Sequence, residues 1–121
     1  ITVYGDGEQR RCFTDVSDVV GALLKLSECE EAVGQVINIG NDSREVSIMD
    51  LAKLIKAKTK SPSEIVLVPY SQAYEEGFED MPRRVPDLTK IKKLIGYEPK
   101  VGLDGVLDRV IEHFTTHQGR V

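Results

Sequence analysis

The chain has 121 residues, 40% of them apolar and 30% charged, a balance that suits one modest folded core rather than a disordered or fibrous chain. Twenty acidic against sixteen basic residues give a net charge of −4, which argues against a broad positive face for nucleic acid, and no apolar run approaches the roughly 20 residues of a membrane-spanning helix. Cys12 and Cys29 form no Cys-x-x-Cys pair and, with only His113 and His117, make a poor zinc set, so a reduced cytoplasmic protein is expected.

The numbering opens at Ile1 inside a strand-like run, residues 1–4, which predicts a piece of a longer protein. Gly5-Asp6-Gly7 supplies turn chemistry, and residues 11–14 continue as a second short extended piece. Val16, Val19, Val20 and Leu23 then recur at helical spacing, with Thr14 as the expected cap and Asp15 and Asp18 in the first turn. After an acidic loop, the β-branched run Gln35-Val36-Ile37-Asn38-Ile39 reads as a buried strand ending at Gly40. Ser47 followed by Asp50 resembles a capping box, and Ile48, Leu51, Ala52 and Ile55 predict a second helix. Residues 65–68 form a third strand closed by Pro69.

Residues 70–86 have no sustained period but hold Tyr70, Tyr74, Phe78 and the Arg83-Arg84 pair, and an ordered loop of that length suggests function. Pro86-Asp87 opens a short helix with Leu88, Ile91 and Ile95 inward and Gly96 as its left-handed stop. Leu103, Val106, Leu107, Val110, Ile111 and Phe114 make a stripe that predicts a docked terminal helix. The expected architecture is a single α+β unit over residues 1–121, a small sheet of short strands with about four helices.

No independent active site stands out. Cys12 reads as a half-buried packing residue, His113 and His117 as a solvated helix end, and the acidic pairs Glu30-Glu31 and Glu75-Glu76 as solvated charge. The third glycine of a dinucleotide-binding Gly-x-Gly-x-x-Gly would fall at Arg10, so the bland reading of Gly5-Asp6-Gly7 is a hairpin turn. What lifts that segment is the run Gln9-Arg10-Arg11 directly after a glycine-lined backbone, together with the distant Arg83-Arg84. Arginine gives parallel charge-assisted hydrogen bonds to phosphate, and two arginine-bearing loops would suit a pyrophosphate held from opposite sides.

The order of four blocks resembles a family. Val3-Tyr4-Gly5-Asp6-Gly7-Glu8-Gln9-Arg10-Arg11-Cys12-Phe13-Thr14-Asp15, then Val36-Ile37-Asn38-Ile39-Gly40, then Arg84-Val85-Pro86-Asp87, then Leu94-Ile95-Gly96-Tyr97-Glu98-Pro99 are similar to the C-terminal, substrate-binding portion of extended short-chain dehydrogenase/reductases that act on nucleotide sugars. Within them the Gln9-to-Asp15 run looks most like UDP-glucuronate decarboxylases. The resemblance implies a parent enzyme that binds NAD on a Rossmann half absent here, and a UDP- or dTDP-sugar whose C4 it oxidises to drive decarboxylation, dehydration or epimerisation. It places Thr2, Tyr4, Gly5, Gln9 and Arg11 along the nucleotide and diphosphate, with Arg11 on a phosphate, and makes Arg84 a sugar-nucleotide contact and catalytic proton donor. Phe78 stands where the family has a ligand-contacting tyrosine, and Val85 where lysine is common. The family's catalytic Tyr-x-x-x-Lys pair is missing: four residues after Tyr4, Tyr70, Tyr74 and Tyr97 stand Glu8, Tyr74, Phe78 and Val101. The chain alone is therefore expected to be inactive, the whole enzyme to be a cytoplasmic homodimer, and the alternative to be a sugar-nucleotide sensor or protein-interaction domain of the same fold.

Overall fold

A computed structural model describes residues 1–75 and 80–117. They fall into two units, one of Ile1–Arg11 with Glu45–Arg84, the other of Cys12–Arg44 with Val85–Val121 as far as described.

In the first unit, β1 (Thr2–Tyr4) pairs in parallel with β4 (Val66–Val68), Val3 opposite Leu67. A second sheet has β2 (Arg10–Cys12) between β3 (Glu45–Ser47) and β5 (Arg83–Arg84). The 5–9 segment is therefore no hairpin turn: it carries the chain from one sheet to the other. Gly5 and Gly7 lie at φ +72° and +78°, a left-handed conformation that favours glycine. Helix α2 (Ile48–Thr59) starts as its sequence predicts, with Ser47 Oγ accepting from the Asp50 amide at 3.0 Å. Its Ile48 and Met49 amides donate to the carbonyls of Gln9 and Gly7 at 3.1 and 2.9 Å. Three of the four amides a helix start normally leaves open are thus used by protein groups, so this helix end offers little to an anion. Val3, Val46 and Ala52 are the buried apolar residues here. The short helix α3 (Tyr70–Ala73) follows Pro69, inside the stretch that carries no period in the sequence.

The second unit is built on α1 (Val16–Ser27), a 3₁₀ turn at Glu30–Ala32, α4 (Thr89–Ile95) and α5 (Leu103–His117). Asp15, not Thr14, caps α1, accepting from the Ser17 amide at 2.9 Å. Gly96 ends α4 at φ +61° as expected. Ala22, Leu88, Ile91 and Tyr97 form the core, with Leu26, Ile37, Ile39 and Ile95 partly buried against it, and the Tyr97 hydroxyl donates to the Gly40 carbonyl at 2.8 Å. Burial and the charges of Asp18 and Asp42 raise the Tyr97 pKa, which keeps that donor protonated.

The expected α+β class holds, the described residues forming five α-helices, one of them a single turn, and two small sheets of short strands. Two expectations are corrected. Residues 35–39 form no strand: with no neighbouring strand to take their backbone hydrogen bonds, the β-branched run stays irregular, and Val36 is exposed. Most of the apolar stripe of α1 faces out, with Val16, Val20 and Leu23 exposed and Val19 half-buried, while Asp18 and Ala22 turn inward. Asp18 is accommodated because one carboxylate oxygen accepts from the amides of Lys100 and Val101, both at 3.0 Å. In α5 likewise Leu103 and Leu107 are buried, whereas Val110 and Phe114 are exposed.

Candidate functional site

The period of two in a strand sorts the four arginines of the first unit. β2 and β5 run parallel with Arg10 opposite Arg83 and Arg11 opposite Arg84, so each cross-strand pair shares a face and the two pairs take opposite faces. On one face, Glu45 of β3 accepts from Arg83 Nε and Nη2 at 2.8 and 2.5 Å and lies 3.7 Å from Arg10 Nε. The Arg83 hydrogen bonds hold the Glu45 carboxyl below its usual range, with the charges of Arg83 and Arg10 assisting against burial. On that face two guanidiniums share one carboxylate, so both are engaged and a single positive charge is left over.

The other face differs. Arg11 is anchored: its Nη1 donates to the carbonyls of Arg10 and Met81, both at 2.8 Å, and its Nη2 to Asp80 Oδ1 at 2.5 Å. Arg84 is exposed, and no side-chain hydrogen bond or ion pair holds it among the described residues. The two cations thus stand next to each other on adjacent strands. The expectation of two loops closing from opposite sides is corrected to one face of adjacent strands carrying one anchored guanidinium and one with no tether among the described residues.

The Gly5 bend adjoins Tyr70. A Cβ built on Gly5 would lie 2.6 Å from the Tyr70 ring, so only glycine admits that approach. The Tyr70 hydroxyl donates to Asp80 Oδ2 at 3.2 Å, and burial followed by the Asp80 charge raises its pKa, which keeps the proton on the donor. Tyr74 packs edge-on to Tyr4 with ring centroids 5.5 Å apart and is tilted against Tyr70 at 5.9 Å. Tyr4 and Tyr74 remain 43% and 42% exposed, enough aromatic surface to receive a flat or apolar ligand group.

Gln9 is buried and donates from Nε2 to the Tyr4 carbonyl at 3.0 Å, while its Oε1 is buried with no partner among the described residues. A buried acceptor without a donor is costly, and because this oxygen is closed off it serves the packing of the bend and offers no contact to a ligand. Of the residues singled out in the sequence, Thr2, Tyr4, Gly5, Gln9, Arg11 and Arg84 all lie in this unit; Phe78 lies outside the described residues. Tyr70, Tyr74 and Asp80 join them, which sequence spacing did not indicate.

The second unit offers open clefts of about 370 and 700 Å³ but no comparable set. In the smaller, Asp18 is taken by two amides, and Arg109 by Asp15 at 2.7 Å and Ser17 at 3.1 Å. The larger is mainly aliphatic. Cys12 is half-buried as expected. Among the described residues no three metal-ligating side chains cluster, and no helix is long and apolar enough to cross a membrane.

Nor does the glycine bend fit a dinucleotide. Its third glycine position is Arg10, in a strand, and the helix amides that would meet a pyrophosphate are bonded to Gly7 and Gln9.

The sequence profile of the family described as GDP-mannose 4,6 dehydratase matches residues 1–110. UDP-N-acetyl-alpha-D-glucosaminuronate decarboxylase of Bacillus cytotoxicus is 43% identical over 114 residues, 94% of this chain but 35% of that protein. UDP-glucose 4-epimerase of Thermotoga maritima, solved with UDP-glucose, superposes with a TM-score of 0.82 at 34% identity, covering 98% of this chain and 35% of the epimerase. UDP-glucuronic acid 4-epimerase of Bacillus cereus, solved with UDP-glucuronic acid and NAD, shares the fold with a TM-score of 0.80 at 23% identity over 95% of this chain. The chain spans about a third of the length of these three proteins. It belongs to the GDP-mannose 4,6-dehydratase family of extended short-chain dehydrogenase/reductases, and within it is similar to the UDP-sugar-acid decarboxylases.

Proposed function

We propose that residues 1–121 are the C-terminal sugar-nucleotide-binding portion of a longer NAD-dependent epimerase, dehydratase or decarboxylase, with UDP-glucuronate decarboxylation the best reading of the reaction. The observation that carries it is the pairing of Arg11 with Arg84 on one face of β2 and β5, in the same unit as the Gly5 bend and the buried Gln9. A UDP- or dTDP-sugar presents a diphosphate for the two guanidiniums, with Thr2, Tyr4, Gly5 and Gln9 in the same unit. Each charge-assisted contact contributes about 1.5–3 kcal/mol. Such a remote anchor holds the sugar where reaction occurs, so it acts on orientation as well as affinity. Arg84, untethered among the described residues, is the group to reach the sugar and stabilise charge that develops there, and it is the candidate catalytic residue.

The chain carries no Tyr-x-x-x-Lys pair and no dinucleotide cradle, so NAD and the redox chemistry it supplies belong to residues outside this sequence, and the chain alone is inactive. The apolar side chains that α1 exposes, Val16, Val20, Leu23 and Leu24, support a longer protein that covers them. A cytoplasmic homodimer is the assembly the family likeness suggests, testable by the mass of the whole protein in solution. The test of function is turnover of UDP-glucuronate and UDP-N-acetylglucosaminuronate by the full-length protein with NAD. Arg84→Ala lowers kcat about tenfold or more, and Arg11→Ala mainly raises KM by a similar factor. Unchanged kinetics in both variants overturn the assignment.

A further inference from the structure

An acid in a loop without periodicity draws no notice in the sequence, yet Asp80 ties the candidate site together. Its two oxygens go to different parts of the chain: Oδ1 accepts from Arg11 Nη2 on β2 at 2.5 Å, and Oδ2 from the Tyr70 hydroxyl on α3 at 3.2 Å. The Arg11 and Asp80 side chains are only 17% and 22% exposed, so water competes weakly for this pair. Two carbonyls hold the Arg11 Nη1 protons, and Asp80 takes one from Nη2. Among the described residues nothing takes its Nε–H or the second Nη2 proton, which can serve a ligand. Arg84, the register partner of Arg11, has no such tether among the described residues.

A carboxylate beside a cation that is to bind an anion is a contradiction if charge alone matters, because Asp80 cancels part of the attraction. It is sensible if position matters more. A free arginine side chain loses rotamer entropy when a ligand fixes it, and a residue that fixes it beforehand removes that loss from the binding step. We propose that Asp80 is the positioning residue of the site: it holds Arg11 in its phosphate-ready rotamer, braced in turn by Tyr70, and acts through Arg11 without touching the ligand. This rests on the reading of Arg11 as a diphosphate contact.

The test is a double-mutant cycle on the full-length protein, read as calorimetric affinity for UDP and for uridine, which lacks the phosphates. Asp80→Ala weakens UDP about tenfold with uridine unchanged, and adds less than about twofold in the Arg11→Ala background. Tyr70→Phe keeps the ring and removes only the brace; it weakens UDP about threefold, and again not in Arg11→Ala. It carries the test alone if Asp80→Ala does not fold. An Arg11→Ala protein that binds UDP as the parent does refutes the diphosphate reading itself. If Arg11→Ala does lose UDP affinity but the Asp80 or Tyr70 effects persist undiminished in it, or fall equally on uridine, the positioning role is refuted while the diphosphate reading stands.

Discussion

Replacing Gly5 by alanine sets two separable costs on the first unit. The residue sits at φ +72°, where an L side chain costs about 1–2 kcal/mol. The new Cβ would also stand 2.6 and 2.8 Å from Cε2 and Cζ of Tyr70, well inside van der Waals contact, so the ring must move; overpacking of this kind costs about 1–3 kcal/mol. The total is roughly 2–5 kcal/mol, and the displaced ring carries its hydroxyl away from Asp80. Gly96 is the control, because it lies at φ +61° with nothing within 4 Å of its would-be Cβ and so incurs the dihedral cost alone. Urea unfolding followed by circular dichroism, with Gly5→Ala made in the parent and in Tyr70→Ala, measures the steric part directly. It should fall to about the Gly96→Ala value when the ring is absent. An equal cost of Gly5→Ala in both backgrounds would show that Tyr70 does not press on the bend and would remove one side of the proposed site.

Asp15 supplies a pH dependence in the second unit. Hydrogen bonds from the Ser17 hydroxyl and amide, then the Arg109 charge, hold its carboxyl below the ordinary 3.8 against burial. A folded pKa below the unfolded one means stability that is present above the unfolded value and lost as pH falls through the folded one, so urea midpoints should decline on the acid side. Asp15→Asn should flatten that decline; an unchanged acid slope contradicts the pairing. Ile91 is 0% exposed against Ala22, Leu88 and Tyr97, and Ile91→Ala should cost about 2–5 kcal/mol in the same unfolding assay. A loss below about 1 kcal/mol would show that this core is loosely packed.

What was legible in the sequence was local. The Ser47 cap, the Gly96 stop and the strand before Pro69 each depend on a few neighbouring residues, and each stands where residue chemistry puts it. The run at 35–39 failed because a strand is a property of two segments, and β-branching supplies only one of them. The stripe on α1 was visible, but its phase predicted the wrong buried face, since Asp18 is paid for by two backbone amides 82 and 83 residues away. The site was half legible. Arg11 and Arg84 stood out as arginines, and the resemblance singled them out, but their adjacency depends on a strand register spanning more than 70 residues. The same register separates them from Arg10 and Arg83, which look identical in sequence and face Glu45 instead. Tyr70, Tyr74 and Asp80 carried no spacing signal; only the composition of their loop pointed to them.

That separation of faces is the most direct test of the account. Calorimetric titration of the full-length protein with UDP compares two neighbouring arginines: Arg11→Ala should weaken binding about tenfold to a hundredfold, the equivalent of one lost charge-assisted contact, whereas Arg10→Ala should stay within about twofold. Equal losses from both, or none from Arg11→Ala, would contradict the claim that the β2–β5 face bearing Arg11 and Arg84 holds the diphosphate.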